Sequence, residues 1–241
     1  MLNTSNMEHH DLYIQIFTQY AEVVKKYGFN GNITIHPPNL DDHKDVDKVT
    51  QALLNTNQLL KRLGTEAESN NWNMVIGVEN QPMPKINNYD IDTLGYDINH
   101  FDIMLKGTNK HIQITLDSGH RLLAEDFSAS EIVEWCQKND KYLTNFYFHQ
   151  NDGINLEITE KGKSCDVHDV AIPGGVHGYK MYLGRAILEN IPLNLEVNFK
   201  NYSQEQILEY VSFLRKDIDF VFEEINHDLD ANLEDDKEIK Q

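Results

Sequence analysis

The stretch IQITLDSGH at residues 112–120 alternates apolar with polar side chains up to an acidic residue, Asp117, and then continues into a glycine and a histidine. Four other segments have the same form: ITIH at 33–36, MVIGVE at 74–79, NFYFH at 145–149 and LNLE at 193–196. Alternation at period two is typical of β-strands, in which every second side chain points to the same face. In each segment the terminal His, Glu or Asp shares its face with polar or small residues. The five strand ends are therefore predicted to converge.

The opposite faces of these strands are apolar, and they comprise Ile33, Ile35, Ile76, Val78, Ile114, Leu116, Phe146, Phe148, Leu193 and Leu195. Segments with helical periodicity separate the strands, which is the alternation of βα units. Ionisable side chains that point inward from the carboxyl ends of successive parallel strands are what an active site at the top of a (β/α) barrel requires. The sequence therefore predicts an α/β fold of the TIM-barrel type.

The helices are predicted at about 11–27, 42–68, 98–105 and 181–189, with two more that begin near Ser128 and after Ser203. The last two begin with Ser three residues before Glu or Gln, which is a capping-box spacing. The first helix carries Leu12, Ile16, Tyr20 and Val23 on one stripe. Residues 1–226 are predicted to form one barrel domain, and the acidic segment 227–241 to be a disordered tail.

A helix precedes the first strand, and five strands are three fewer than a closed barrel contains. We therefore expect a barrel that lacks about three N-terminal βα units. Such a sheet would leave an unpaired edge near residues 32–36 and uncovered apolar surface. The sequence accordingly predicts a homo-oligomer.

The composition is that of an ordinary globular protein, with 241 residues of which 40% are hydrophobic and 25% charged. A net charge of −18 repels nucleic-acid phosphates at long range and weighs against a DNA substrate. Two cysteines, Cys136 and Cys165, make no disulfide framework. With no apolar run long enough to span a bilayer and no signal-peptide pattern at the start, we expect a cytoplasmic protein without a membrane partner.

Several short motifs carry a family resemblance: HPP after the first strand, EN after the second, DSGH at 117–120, FHQND at 148–152, DVH at 166–168 followed by PGG, and LNLEVN at 193–198. Together and in this order the sequence resembles the xylose-isomerase-like TIM barrel superfamily. That superfamily contains sugar and sugar phosphate isomerases and epimerases, and also the endonuclease IV branch.

The resemblance to the isomerase branch implies one divalent ion, Mn²⁺, Mg²⁺, Co²⁺ or Zn²⁺, held by Glu79, Asp117, His149 and Glu196. It also implies that Glu79 and Glu196 move a proton at the carbon next to a carbonyl in a sugar or sugar phosphate. His36, His120 and Tyr147, which point to the same side, are the candidates for substrate binding.

Two alternatives remain open. The endonuclease IV branch holds further metal ions at positions that match His36, His120, Asp166 and His168, which would imply cleavage of abasic DNA by a metal-dependent AP endonuclease. The earliest histidine of that branch has no match, because His9 and His10 lie at the start of a helix. The second alternative is a barrel remnant without catalysis that binds a partner or a metabolite. In that case the carboxylates cap loops or helices.

Overall fold

The computed structural model describes residues 2–83, 92–124, 129–151, 165–170 and 179–238. Helices and strands alternate along these ranges. The helices are α1 (His10–Tyr27), α2 (Val46–Ser69), α3 (Ile98–Met104), α4 (Ser118–Arg121), α5 (Ala129–Lys138), α6 (Tyr179–Leu188) and α7 (Gln204–Glu238). The strands are β1 (Gly31–Ile35), β2 (Asn39–Leu40), β3 (Met74–Glu79), β4 (Asp92–Thr93), β5 (Ile112–Asp117), β6 (Leu143–Phe148) and β7 (Leu193–Leu195).

Five strands form one sheet in the order β1-β3-β5-β6-β7, and every neighbouring pair is parallel. These are the five strands that the sequence predicts, although β1 and β6 each begin two residues earlier than expected. The α/β class is thereby confirmed. The sequence did not predict the short antiparallel pair of β2 and β4 or the four-residue helix α4.

The sheet is curled, because side chains on strands that are not neighbours touch across its inner face. Thr34 on β1 and Thr115 on β5 lie 3.1 Å apart at their hydroxyl oxygens, although β3 runs between them. They meet over Gly77, where a Cβ would overlap the Thr115 hydroxyl. Farther down, Asn32 of β1 donates a hydrogen bond to the carbonyl oxygen of Thr144 in β6. The described sheet is thus a half-barrel, and its lack of further N-terminal units stays a prediction.

A β-bulge sharpens this curl between β5 and β6. The pairing register shifts between Ile114 and Thr115, so that Thr144 is the extra residue on β6. Bulges bend a strand and increase its twist. Here the bulge lets the consecutive residues Thr144 and Asn145 both line the inner face, where they bond Asn32 and Asn194.

The outer face of the sheet forms the hydrophobic core against the helices. Ile76, Val78, Ile114, Phe146 and Phe148 are each no more than 1% exposed, as their predicted orientation requires. They pack against apolar side chains of α2, α3 and α5, which include Leu53, Leu59, Leu60, Leu63, Phe101 and Ile132. This core fixes the strands rigidly, and therefore fixes the side chains at their carboxyl ends.

Helix α1 packs differently from what its periodicity suggests. Its buried apolar side chains are Phe17, Ala21 and Val24. The stripe of Leu12, Ile16, Tyr20 and Val23 is instead 37% to 52% exposed. The helix is thus apolar over a wider arc than one neighbour covers.

Helix α7 begins with the capping box that the sequence predicts: Gln206 N donates to Ser203 Oγ, and Ser203 N donates to Gln206 Oε1. It continues to Glu238, so the backbone of 227–238 is helical where the acidic composition predicts a disordered tail. Ala, Leu and Glu are good helix formers, and extending an existing helix requires no new nucleation. The domain boundary at residue 226 stays a prediction. No helix in the described ranges is long and apolar enough to span a membrane.

Candidate metal centre

Three central strands end in buried ionisable side chains. Glu79 is the last residue of β3 and Asp117 the last of β5, and His149 follows β6 directly. Their exposed fractions are 1%, 0% and 0%. Since parallel strands present their carboxyl ends at one edge, these side chains share one location. Buried charges are stable only when they are paired or when they bind an ion.

Asp117 is the shared member of two donor groups. Its carboxylate oxygens lie 2.9 and 3.0 Å from His149 Nε2. Glu196, which follows β7, completes the first group, in which one donor atom from each residue lies within 4.8 Å of the others. Glu79, Asp117 and His120 form the second group by the same measure. The structure therefore divides the four predicted ligands between two groups that share Asp117, with His120 in the second group.

The DSGH segment explains the position of His120. Asp117 is the N-cap of α4, and its Oδ1 accepts a hydrogen bond of 2.7 Å from the backbone N–H of His120. The turn directs the imidazole of His120 back into the site, where Nδ1 lies 3.1 Å from Glu79 Oε1. Gly119 leaves room for the adjacent ring, because a Cβ there would overlap the imidazole of His149.

A third group lies beside the first two and consists of His120, His149, Asp166 and His168. Asp166 Oδ2 is 3.2 Å from His168 Nε2 and 3.4 Å from His120 Nε2. The rings of His149 and His168 stack at 4.0 Å with an angle of 6° between their planes. The residues that the endonuclease resemblance implies are thus adjacent to the four isomerase-type ligands.

Two buried asparagines, which sequence reasoning did not single out, hold this geometry. Asn80 accepts the N–H of Asp117 at 2.7 Å and donates to the carbonyl oxygen of the same residue at 3.0 Å. Asn151 donates to Asp166 Oδ1 and accepts the N–H of Val167 at 2.8 Å. Asn80 follows the end of β3 by one residue and Asn151 follows the end of β6 by three, within the EN and FHQND motifs. The motifs contain the signal, but the sequence alone does not reveal their bonding partners.

His36 and Tyr147 lie at the margin of the site. His36 Nε2 is 3.2 Å from Glu79 Oε2, while its side chain is 67% exposed. Tyr147 lies on the inner face of β6 and forms a hydrogen bond with Thr34, close to the charges of Glu79 and Glu196. Burial raises the pKa of this phenol, so it stays neutral and able to donate a hydrogen bond.

The deepest carboxylates stay ionised because histidines pair with them. Burial would raise the pKa of Glu79, but hydrogen bonds from His120 and His36 lower it. Burial would also raise the pKa of Asp117, but the charge of His120 and the hydrogen bond from His149 lower it. Burial would lower the pKa of His120, yet the charge of Asp117 and hydrogen bonds with Asp166 and Glu79 raise it well above its usual value.

The residues nearer the opening also have shifted pKa values. Burial and the charges of Asp117 and Glu79 raise the pKa of Glu196 to about 7. Burial would lower the pKa of His168, but the hydrogen bond with Asp166 raises it to about 9. Burial would raise the pKa of Asp166, but hydrogen bonds from His120 and His168 hold it well below its usual range.

This charge pattern fits a divalent cation. The carboxylates of Glu79, Asp117, Asp166 and Glu196 meet in one small volume, and protonated His120 and His168 balance part of their charge. A divalent ion would supply the same positive charge and leave the histidines neutral, which is the form that binds metal. Oxygen and imidazole donors are the set that Mn²⁺, Mg²⁺, Co²⁺ and Zn²⁺ accept.

The arrangement can be compared with known proteins. No protein-family model matches the sequence, and no curated protein matches it either. Among solved structures, the chain is similar to a D-tagatose 3-epimerase-like protein, with a TM-score of 0.66 and 18% sequence identity. The match covers 93% of this chain and 76% of the other. The described residues therefore share the fold of this epimerase-like protein. At this identity the likeness establishes the fold alone, and it confirms the resemblance at that level.

Proposed function

We propose that the protein is a metal-dependent isomerase or epimerase that acts on a sugar or sugar phosphate. The observation that carries this proposal is a pair of donor groups, Glu79 with Asp117 and His120, and Asp117 with His149 and Glu196, which share Asp117 at the carboxyl ends of four neighbouring strands. The epimerase-like structural neighbour supports the same class.

In this proposal Glu79, Asp117, His149 and Glu196 hold one divalent ion, Mn²⁺, Mg²⁺, Co²⁺ or Zn²⁺. The ion supplies polarisation of the carbonyl and hydroxyl oxygens of the substrate, which lowers the energy of the carbanion that proton removal creates. The protein's own side chains bind the substrate and transfer the proton.

The two glutamates suit opposite roles in proton transfer. Without a bound ion, hydrogen bonds from His120 and His36 lower the pKa of Glu79 against the effect of burial, and binding to an ion would likewise require its ionised form, which accepts a proton. Without a bound ion, burial and the charges of Asp117 and Glu79 raise the pKa of Glu196 to about 7, so the two glutamates have different environments. Pairs of carboxyls whose environments separate their pKa values are typical of acid–base catalysis. In this proposal His36 and the neutral phenol of Tyr147 donate hydrogen bonds to substrate oxygens. His120 lies behind them, with its ring nitrogens already facing Asn80 O and Asp166 Oδ2.

Solvent exchange tests this mechanism. Incubating candidate ketoses and their phosphates in D₂O is expected to label the product at the carbon that is isomerised or inverted, because the proton passes through a side chain in contact with water. Glu196→Gln is expected to reduce this labelling by about 10²–10⁴-fold, the usual contribution of a general acid–base group. Mass spectrometry or proton NMR measures the label.

Glu209→Gln on the exposed side of α7 is the matched control, and it should label as the unmodified protein does. Full labelling by Glu196→Gln would contradict the proposed role of this residue.

A second candidate is hydrolysis of a phosphodiester at an abasic site in DNA. The observation that favours it is the third donor group, in which Asn151 orients Asp166 and the backbone N–H of Val167 beside His168. Two observations count against it. The net charge is −18, and the earliest histidine of the endonuclease IV pattern has no match in this sequence. His10 is fully buried in α1, with Nε2 3.0 Å from the carbonyl oxygen of Thr4, and it does not end a strand.

Cleavage of an abasic oligonucleotide decides between the candidates. If the second candidate holds, the protein cuts the oligonucleotide, and His120→Ala and Asp166→Asn each abolish the cut, because both residues belong to the third donor group. The cut fragments are resolved on a denaturing gel, with Glu209→Gln again as the control. Such cutting, without labelling of any sugar tested, would reverse the order of the two proposals.

A further inference from the structure

A cavity of about 250 Å³ opens beside the candidate metal centre, between β1 and α1. Two of the residues that line it, Thr34 and His36, also border the centre. His36 Nε2 lies 3.2 Å from Glu79 Oε2, and Thr34 forms a hydrogen bond with Tyr147. The cavity therefore begins one side chain away from a proposed ligand of the ion.

The cavity follows the outer edge of β1. This strand is at the end of the strand order, so the described residues give its outer edge no partner strand. Ile33 and Thr34 point to opposite faces of the sheet, yet both line the cavity, as a position along the strand edge requires. The unpaired backbone N–H and C=O groups of such an edge can bind hydroxyl groups of a sugar.

Most of the lining of the cavity is apolar. Tyr13 and Phe17 of α1 contribute two aromatic rings, whose centroids lie 6.3 Å apart. Ile33 and Ile35 contribute aliphatic side chains from β1. Phe17 and Ile35 are at most 5% exposed and belong to the hydrophobic core, so this part of the lining is held in place by packing. Such a surface favours the burial of a hydrocarbon group.

The polar side chains around the cavity already form hydrogen bonds within the protein. The pairs are Thr4 with Thr56, Thr34 with Thr115 and Asn39 with Thr93, at oxygen–oxygen distances of 3.2, 3.1 and 2.9 Å. No lysine or arginine is among the described residues that line the cavity. A phosphate group placed there would lose hydration without gaining a cationic partner, which is unfavourable.

We propose that this cavity binds the end of the substrate remote from the reacting carbon, and that this end is an uncharged hydrocarbon group, such as the methyl group of a deoxy sugar. Pockets that enclose a whole small ligand measure about 300–1,000 Å³. A cavity of about 250 Å³ therefore suits one end of a ligand whose other end lies at the candidate centre. The inference rests on the proposed function, and it narrows the substrate to a sugar without a phosphate at this end.

Binding of compounds that lack a carbonyl tests the cavity separately from catalysis. A 6-deoxyhexitol, the parent hexitol and the hexitol 6-phosphate differ only at the end in question, and none of them can be isomerised. Isothermal titration calorimetry should show that the 6-deoxyhexitol binds about tenfold more tightly than the hexitol, the usual discrimination by an apolar pocket for one such group. The hexitol 6-phosphate should bind most weakly of the three.

Tyr13→Lys is expected to reverse the preference between the 6-deoxyhexitol and the hexitol 6-phosphate, because it removes an aromatic ring and adds a cation. Tyr20→Lys is the matched control. It makes the same change on the exposed side of α1, outside the cavity, and should keep the original order. Ile33→Thr retains a β-branched residue in the strand and should bring the affinities for the 6-deoxyhexitol and the hexitol together. Far-UV circular dichroism checks that each variant is folded.

Labelling of the corresponding ketoses in D₂O tests the reaction itself. If the binding order and its reversal are observed but no ketose is labelled, the assignment of the cavity stands and the proposed function fails. Binding of the hexitol or its phosphate at least as tightly as the 6-deoxyhexitol by the unmodified protein would overturn the inference. So would binding of none of the three compounds, or an unchanged order of affinity in the folded Tyr13 and Ile33 variants.

Discussion

Asp117→Asn and Glu79→Gln are expected to abolish tight binding of a divalent ion. Each change replaces a carboxylate by an amide of nearly the same shape, so the ligand charge is lost while the packing is kept. Both carboxylates are almost completely buried, so water cannot replace them as ligands. Asp117 belongs to two of the donor groups, and its loss should therefore have the larger effect. Even loss of a supporting partner commonly costs about 10–100-fold in metal affinity.

Elemental analysis after dialysis against trace metal measures this effect, and far-UV circular dichroism checks that the helices persist. Asp47→Asn on the exposed face of α2 is the matched control, and it should retain the metal content of the unmodified protein. Unchanged metal content in both site variants would refute the ligand assignment.

The number of ions in the unmodified protein discriminates among the functions. One ion agrees with the proposed isomerase or epimerase, whose proposed ligands are Glu79, Asp117, His149 and Glu196. Three ions would occupy the group of His120, Asp166 and His168 as well, and would favour phosphodiester hydrolysis. A protein that binds no divalent ion would favour a barrel remnant that binds a partner or a metabolite.

The sequence predicts the sheet well because its signal is local. A strand with alternating polarity presents the same faces in any parallel sheet, so Ile76 and Val78 could be assigned to the core and Glu79 to the site from spacing alone. The strand ends then follow from the rule that parallel strands present their carboxyl ends together. This is why the predicted site residues at strand ends, Glu79, Asp117 and His149, lie at one location.

The curl of the sheet, the asparagine contacts and the packing of α1 depend on contacts between residues far apart in the sequence. A single sequence does not show which residues form such contacts. Thr34 and Thr115 meet over Gly77 only because the sheet curls, and spacing along one strand cannot reveal this. Asn80 and Asn151 read as ordinary turn residues until their partners are known. Helix α1 shows the limit most clearly. Its apolar stripe is real, but periodicity cannot tell which of two apolar faces meets the sheet.

Gly119→Ala is expected to disrupt the candidate metal centre, although it replaces none of the proposed ligand residues. Gly119 lies between Asp117 and His120 in the turn that forms α4, and a Cβ there would overlap the imidazole of His149. The ring is fully buried and held by Asp117, so it has no open space into which to move. Overpacking of this kind costs about 1–3 kcal/mol of stability. The displaced ring should also lose its ligand geometry, so metal affinity should fall together with the melting temperature.

The control uses the same substitution where space is available. Gly184 lies within α6, and its Cβ would make an ordinary contact of 3.7 Å with Val221. Gly184→Ala should therefore leave metal binding unchanged and stabilise the helix by about 0.5–1 kcal/mol, the usual gain over glycine. Differential scanning calorimetry and metal titration on both variants measure the two effects. If Gly119→Ala binds metal as tightly as Gly184→Ala, the ring of His149 is not a ligand, because a ligand cannot be displaced without loss of affinity.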